Sequence, residues 1–209
     1  AGTNPLLIAS STGVTLLSLN QSGNVGIGVD APGERLEVLG NIISKGTEWT
    51  LRTSTTTNGW TAVTYGNGIF VAVAPDTYGC TASCVMTSPD GITWTSRTAP
   101  TDAWGSVAYG NGMFVAVSYD GSTNSAMTSS DGITWTLRRT PNSNNWLAVT
   151  YGNGLFVAVS SNGSGNRVMT SPDGITWTAR TSAANATWYS VTYGNGRYVA
   201  VAGGSSESV

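Results

Sequence analysis

Histidine is absent from the 209 residues, lysine occurs once (Lys45), and charged residues make up only 10% of the chain, against about a quarter in an ordinary globular protein. Without imidazole there is no Ser-His-Asp or Cys-His constellation and no imidazole metal site. A net charge of -2 supplies neither a basic stripe for nucleic acid nor a cationic amphipathic segment for lipid, and no apolar run reaches the length of a membrane span. No nucleic-acid partner, no membrane insertion, no metal and no cofactor are therefore expected. The surface has to be built from Ser, Thr, Asn and Gly. The two cysteines, Cys80 and Cys84, enclose only Thr81, Ala82 and Ser83. A disulfide across so short a loop suits an oxidising, extracellular setting, the alternative being two reduced thiols.

What the chain does have is a block repeated four times. Trp60, Trp104, Trp146 and Trp188, spaced 44, 42 and 42 residues apart, each open the pattern W-x-x-V-x-Y-G-N-G-x-(F/Y)-V-A-V. A period of about 40 to 45 residues, with short apolar runs between Gly-rich turns, is the signature of β-propeller blades, since one blade cannot bury both its faces alone. Whatever recurs in every copy belongs first to the scaffold.

Each copy reads as a four-stranded antiparallel meander. In the second, Trp104 to Tyr109, Met113 to Ser118, Ala126 to Ser129 and Ile133 to Arg138 are the expected strands a to d. Asn111-Gly112 supplies the positive φ of the a-to-b hairpin, and Asp131-Gly132 that of the c-to-d turn. A meander places these turns at one end of the blade, with the b-to-c loops and d-to-a connections at the other. The first end is nearly invariant between copies, whereas the second holds dissimilar loops. That variable face is the candidate recognition surface, although loops free of packing constraints also drift. If it binds glycans, Tyr78, Asp102, Tyr119, Asn144, Asn145, Asn162 and Arg167 are expected to carry the contacts, because sugars take planar amides and carboxylates on their hydroxyls and rings on their apolar faces.

The segments Ser88-Pro89-Asp90-Gly91-Ile92-Thr93-Trp94, Ser129 to Trp135 and Ser171 to Trp177 resemble the Asp-box hairpin (S-x-D-x-G-x-T-W) of sialidases and many non-enzymatic propellers, with one residue fewer between Asp and Gly. The resemblance implies a structural role: Asp and Ser bond turn backbone and Trp packs beneath. It does not imply catalysis. Asp90, Asp131 and Asp173 are turn residues, the other acids show no pairing in sequence, and four of eight arginines share one repeat position, where they are expected to pair or stack within blades. Asp120-Gly121-Ser122-Thr123-Asn124 lacks the later bidentate carboxylate of a calcium loop and reads as a polar hairpin. The chain is expected not to be an enzyme.

The fourth copy stops after Arg197 to Ala202, short of strands c and d. Ile42-Ile43-Ser44 and Lys45 to Arg52 form a degenerate c-d hairpin, with Trp49 matching Trp94, Trp135 and Trp177. The expected fold is all-β, a four-bladed β-propeller over residues 41–209 whose last blade is completed from both ends of the chain, which removes an open sheet edge. Residues 1–40 lie outside the repeat, with apolar runs at Leu6-Leu7-Ile8, Val14 to Leu19, Val25-Gly26-Ile27 and Leu36 to Leu39. Asn4 to Ile42 resembles the G-N-V-G-I-G-x-x-x-P-x-x-x-L-x-V-x-G-N segment of phage tail fibres and large bacterial surface proteins, which implies an N-terminal extended β segment that joins chains.

The chain opens Ala1-Gly2-Thr3, as a processed product or a piece of something longer. The expected function is that of a non-enzymatic, extracellular structural or adhesive protein, the subunit of a fibre, cell-surface appendage or virion. It would associate with itself through residues 1–40 and present the variable face to surface glycans. A stand-alone lectin-like propeller is the alternative, and an Asp-box glycosidase a distant third.

Overall fold

The computed structural model describes residues 6–9, 15–28, 31, 36–38, 50–54, 56–78, 80 and 83–203. They fall into two compact units, Ala1–Leu51 and Arg52–Val209.

In the first unit, β1 (Leu6–Ala9), β2 (Thr15–Leu19), β3 (Val25–Ile27) and β4 (Leu36–Val38) form one sheet in that order. The first two pairings are antiparallel and β3–β4 is parallel. These strands fall on the four apolar runs, which therefore pair with one another. The β2–β3 turn is held by Asn20, whose Oδ1 accepts the amides of Ser22 at 3.0 Å and Asn24 at 2.9 Å.

The second unit is the repeat. Its first blade has β5 (Ala62–Gly66), β6 (Ile69–Val73), a 3-10 turn (Asp76–Tyr78), β7 (Val85–Ser88) and β8 (Thr95–Arg97). The second has β9 (Trp104–Gly110), β10 (Met113–Ser118), β11 (Ala126–Ser129) and β12 (Thr136–Arg138). The third has β13 (Trp146–Gly152), β14 (Leu155–Ser160), β15 (Val168–Ser171) and β16 (Thr178–Arg180). Each is a four-stranded antiparallel meander. The fourth copy contributes the hairpin β17 (Thr187–Gly194) and β18 (Arg197–Gly203). The architecture is all-β, and its blade count is consistent with four.

Strand d begins at Thr136 and not at Ile133, because the amides of Ile133 and Thr134 donate to Asp131 inside the turn and are lost to the ladder. Of the segment expected to complete the fourth blade, residues 42–49 lie outside the described residues, and Thr50 to Arg52 carry no strand.

The core lies between blades and not within them. Val71 and Val73 of the first blade pack with Trp104, Val107 and Phe114 of the second. Val115 and Val117 of the second meet Trp146 and Val149 of the third. Val157 and Val159 of the third meet Trp188 and Val191 of the fourth. Trp104, Trp146, Phe114 and Phe156 are fully enclosed. Each such side chain contributes about 2–3 kcal/mol by leaving water, and nearly all of it is won by stacking one blade on the next.

Candidate recognition face

The invariant end of the blades is built the same way each time. The a-to-b turns place Asn67, Asn111, Asn153 and Asn195 at φ 42–48°, each followed by a glycine in the same left-handed region. In the c-to-d turns only the glycine has positive φ (Gly91, Gly132, Gly174). The aspartate before it acts through its side chain. Ser88, Ser129 and Ser171 donate to Asp90, Asp131 and Asp173 at 2.8–2.9 Å and accept the following glycine amide at 2.8 Å. The carboxylates accept two further amides, which lower all three pKa values, that of Asp131 to about 2. Trp135 and Trp177 donate their indole N–H to the Gly132 and Gly174 carbonyls. Arg97, Arg138 and Arg180 each donate Nε to a threonine hydroxyl of strand c at 2.9 Å.

At the opposite end the b-to-c loops and d-to-a connections are tied to one another. Asp102 Oδ1 accepts the Ala103 amide and the Ser118 hydroxyl, both at 2.7 Å. Burial, joined by the neighbouring Asp120 charge and outweighing these hydrogen bonds, pushes the Asp102 carboxyl up to about 6. Asp120 Oδ1 accepts the Ser122 amide and the Ser125 hydroxyl, which makes its loop a self-bonded polar turn. The Tyr119 amide donates to Ala103, and its ring fills the space beside Gly105. One blade on, Asn145 and Asn162 exchange two bonds: Asn162 Oδ1 accepts the Asn145 amide at 2.7 Å, and its Nδ2 donates to Asn145 Oδ1 at 2.8 Å. Asn144 is buried and donates to Ser160 Oγ and the Asn166 carbonyl. Arg167 donates Nε to Gly163 and Nη1 to Ser161 and to Ala186, the last at 2.7 Å and in the connection to the fourth blade.

The structure therefore gathers Asp102 with Tyr119, and Asn144 with Asn145, Asn162 and Arg167, as two braced loop clusters. In each of them the loops are held by side-chain bonds within the protein. Tyr78 sits in the 3-10 turn, and its side chain lies outside the described residues. Cys80 and Cys84 form a disulfide in the same loop, with Cα atoms 5.2 Å apart. Sequence reasoning did not single out as bracing residues Ser118, Ser160, Asn166 or Asn185, the last accepting the Gly165 amide on Oδ1 at 2.6 Å. The one available signal was the serine that ends strand b in the second and third copies. Among the described residues no three His, Cys, Asp or Glu side chains gather as metal ligands, and no helix is long and apolar enough to cross a membrane.

No family model and no curated protein matches the chain. Solved structures do. The structure described as "YCF48 bound to D1 peptide" superposes with a TM-score of 0.54 at 19% identity, over 71% of this chain and 48% of that one. YCF48 from Cyanidioschyzon merolae gives 0.50 at 18%, over 72% and 52%. The computationally designed Ika4 protein gives 0.53 at 11%, over 74% and 92%. The repeats are propeller blades. At these identities the likeness carries the fold alone, and the chain spans about half the length of the YCF48 chains.

Proposed function

We propose that this propeller is a non-enzymatic recognition and assembly module: an extracellular structural subunit, of fibre, cell-surface or virion type, that offers its variable loop face to a partner. The observation that carries this reading is the division of labour between the two ends of the blades. One end repeats the same Ser-Asp-Gly turn. The other holds a different set of loops in every copy, each braced by side-chain bonds such as Asn145–Asn162 and Arg167–Ala186. Loops held rigid on a scaffold lose little freedom when they bind.

A non-enzymatic role is supported by the use of the acids. Asp90, Asp131 and Asp173 are absorbed in turn structure, and Asp102 and Asp120 in loop bracing. The YCF48 structure bound to a peptide gives a precedent for a propeller of this kind as a protein-binding surface. The N-terminal sheet, with its tail-fibre-like sequence, is the part we assign to joining subunits.

The test is binding of the purified chain to a glycan array and to whole-cell or protein surfaces, beside a version whose loops 98–103, 118–125, 140–145 and 160–167 are replaced by Gly-Ser segments of equal length. Loss of binding with cooperative unfolding retained supports the reading. Binding that survives all four replacements removes Asp102, Tyr119, Asn144, Asn145, Asn162 and Arg167 from the account.

A further inference from the structure

Each blade docks on the one before it by setting a strand-a tyrosine over a glycine, and the first two junctions add two further contacts. A side chain at Gly66 would collide with the ring of Tyr109, one at Gly110 with Tyr151, and one at Gly152 with Tyr193, so each tyrosine of strand a occupies the space left by the glycine of the preceding blade. The turn glycines do the converse. A Cβ on Gly132 would lie 2.9 Å from Val71 of the first blade, and one on Gly174 would lie 2.5 Å from Val115 of the second. Finally, Asn67 and Asn111 each donate Nδ2 to a c-to-d turn carbonyl of the following blade, Ser130 and Pro172, at 3.5 Å.

Four copies make three such junctions and leave one set of halves over. On the first blade Val63 is 60% exposed, whereas its counterparts Val107, Val149 and Val191 are 6–8% exposed, and Tyr65 is 58% exposed, whereas its counterparts Tyr109, Tyr151 and Tyr193 are half-buried. The same face holds a depression of about 360 Å³ lined by Trp60, Val63, Ala72, Met86 and Trp94. On the fourth blade nothing among the described residues lies within 4 Å of where a Gly194 side chain would be. Val199, the counterpart of Val71 and Val115, is 48% exposed there. The unmatched tyrosine is already posed: Tyr65 lies 4.7 Å from Phe70 at 55°, as Tyr109, Tyr151 and Tyr193 lie 4.6–4.8 Å from their own partners at 51–55°.

We propose that the first blade of one chain docks on the fourth blade of a second copy, with Tyr65 over Gly194 of that copy, Val199 of that copy against Gly91, and Asn195 of that copy toward the Pro89 carbonyl. The occupant is specified by the repeat itself, because the three junctions inside the chain display the partner that each free face was shaped for. The contact joins two different surfaces, so it propagates head to tail and ends only where a ring closes. The proposal concerns the blade faces, and it is independent of whether the loop face binds a ligand or residues 1–40 join subunits.

The test is light scattering of the full-length chain over a concentration series, beside Tyr65→Ala and Gly194→Leu. Within one chain Gly194→Leu adds bulk in open space, so at concentrations where the parent is dissociated its unfolding midpoint should match the parent's, and Tyr65→Ala forfeits the contact with Phe70. Each variant alone should fall to a smaller species than the parent. An equimolar mixture of the two should recover a single junction, since one retains an intact Gly194 face and the other an intact Tyr65 face. A monomeric parent whose variants change stability without changing size would place the junction within one chain and overturn the second copy. So would parent-sized assemblies of both variants, or a mixture that recovers nothing.

Discussion

The Ser129 hydroxyl donates to Asp131 at 2.8 Å, and the same Asp131 oxygen accepts the amides of Ile133 and Thr134, also at 2.8 Å. One short side chain thereby supplies the acceptor that two residues just before strand d lack in the ladder. Repeated at Asp90 and Asp173, this arrangement fixes the turn that carries each tryptophan back under its blade.

Asp131→Ala should cost about 1 kcal/mol, the usual effect of removing a carboxylate that satisfies orphan amides. The pH dependence follows from the lowered pKa. The unfolded carboxyl titrates near 4 and the folded one near 2, so the stabilisation is complete above pH 4 and is lost as pH falls through 2. Denaturant unfolding of parent and variant at pH 7, 4 and 2 checks it: the difference between them should shrink toward the acid end. A difference that stays constant to pH 2 would mean that the charge has no part in the turn.

Gly110→Val and Gly194→Val make the same chemical change at equivalent places in two repeats. At Gly110 the added side chain collides with Tyr151 in the next blade, whereas at Gly194 it meets nothing among the described residues. Overpacking of this kind costs roughly 1–3 kcal/mol or more, and an open surface site within about 0.5 kcal/mol. Thermal unfolding should therefore separate the two variants clearly, and equal midpoints would refute the blade-to-blade contact.

Much of this was legible because the repeat multiplies weak signals. One W-x-x-V-x-Y-G-N-G block is ambiguous, but four at nearly equal spacing identify blades, and Asn111-Gly112 places its hairpin turn correctly. The start of strand d was not legible, since Asp131 takes the amides of Ile133 and Thr134 by a side-chain route that strand patterning cannot reveal. The candidate face was half legible. Loop dissimilarity located it, yet Asn145, Asn162 and Arg167 look alike in sequence whether they point at a ligand or at a neighbouring loop, and only the fold shows them bonded to one another. The Tyr-over-Gly junctions were written in plain sight as Tyr109-Gly110. Their meaning required knowing that the tyrosine serves the glycine of a different copy.

Arg167→Ala should loosen the loops of the third blade together with the connection to the fourth. Its guanidinium donates to three backbone carbonyls, one of them Ala186 just before β17. Leaving these carbonyls without donors costs about 2 kcal/mol. Arg167→Lys should recover only part of that, because an ammonium cannot span the fork that Nε and Nη1 bridge. Hydrogen exchange of the amides of residues 161–167 and 182–188 gives the local readout. Protection that is unchanged in Arg167→Ala would show that the loops are held by other means.

Asp102 behaves in the opposite sense to the turn aspartates. Burial raises its folded pKa to about 6, while the unfolded side chain titrates near 4, so between those values the folded state holds a proton that the unfolded state has shed. Stability is therefore greatest toward pH 4 and declines as pH rises through 6. Because the group is only half buried, solvent screening reduces the effect to on the order of 1 kcal/mol. Asp102→Asn keeps an oxygen to accept from Ser118 and the Ala103 amide, and it removes one of the two charges that now repel across to Asp120. The variant should be more stable than the parent at pH 7, equal to it near pH 4, and free of the decline between them. Unfolding midpoints measured at half-unit steps from pH 4 to 7 decide it, and parallel curves for the two proteins would remove Asp102 as the source of the slope.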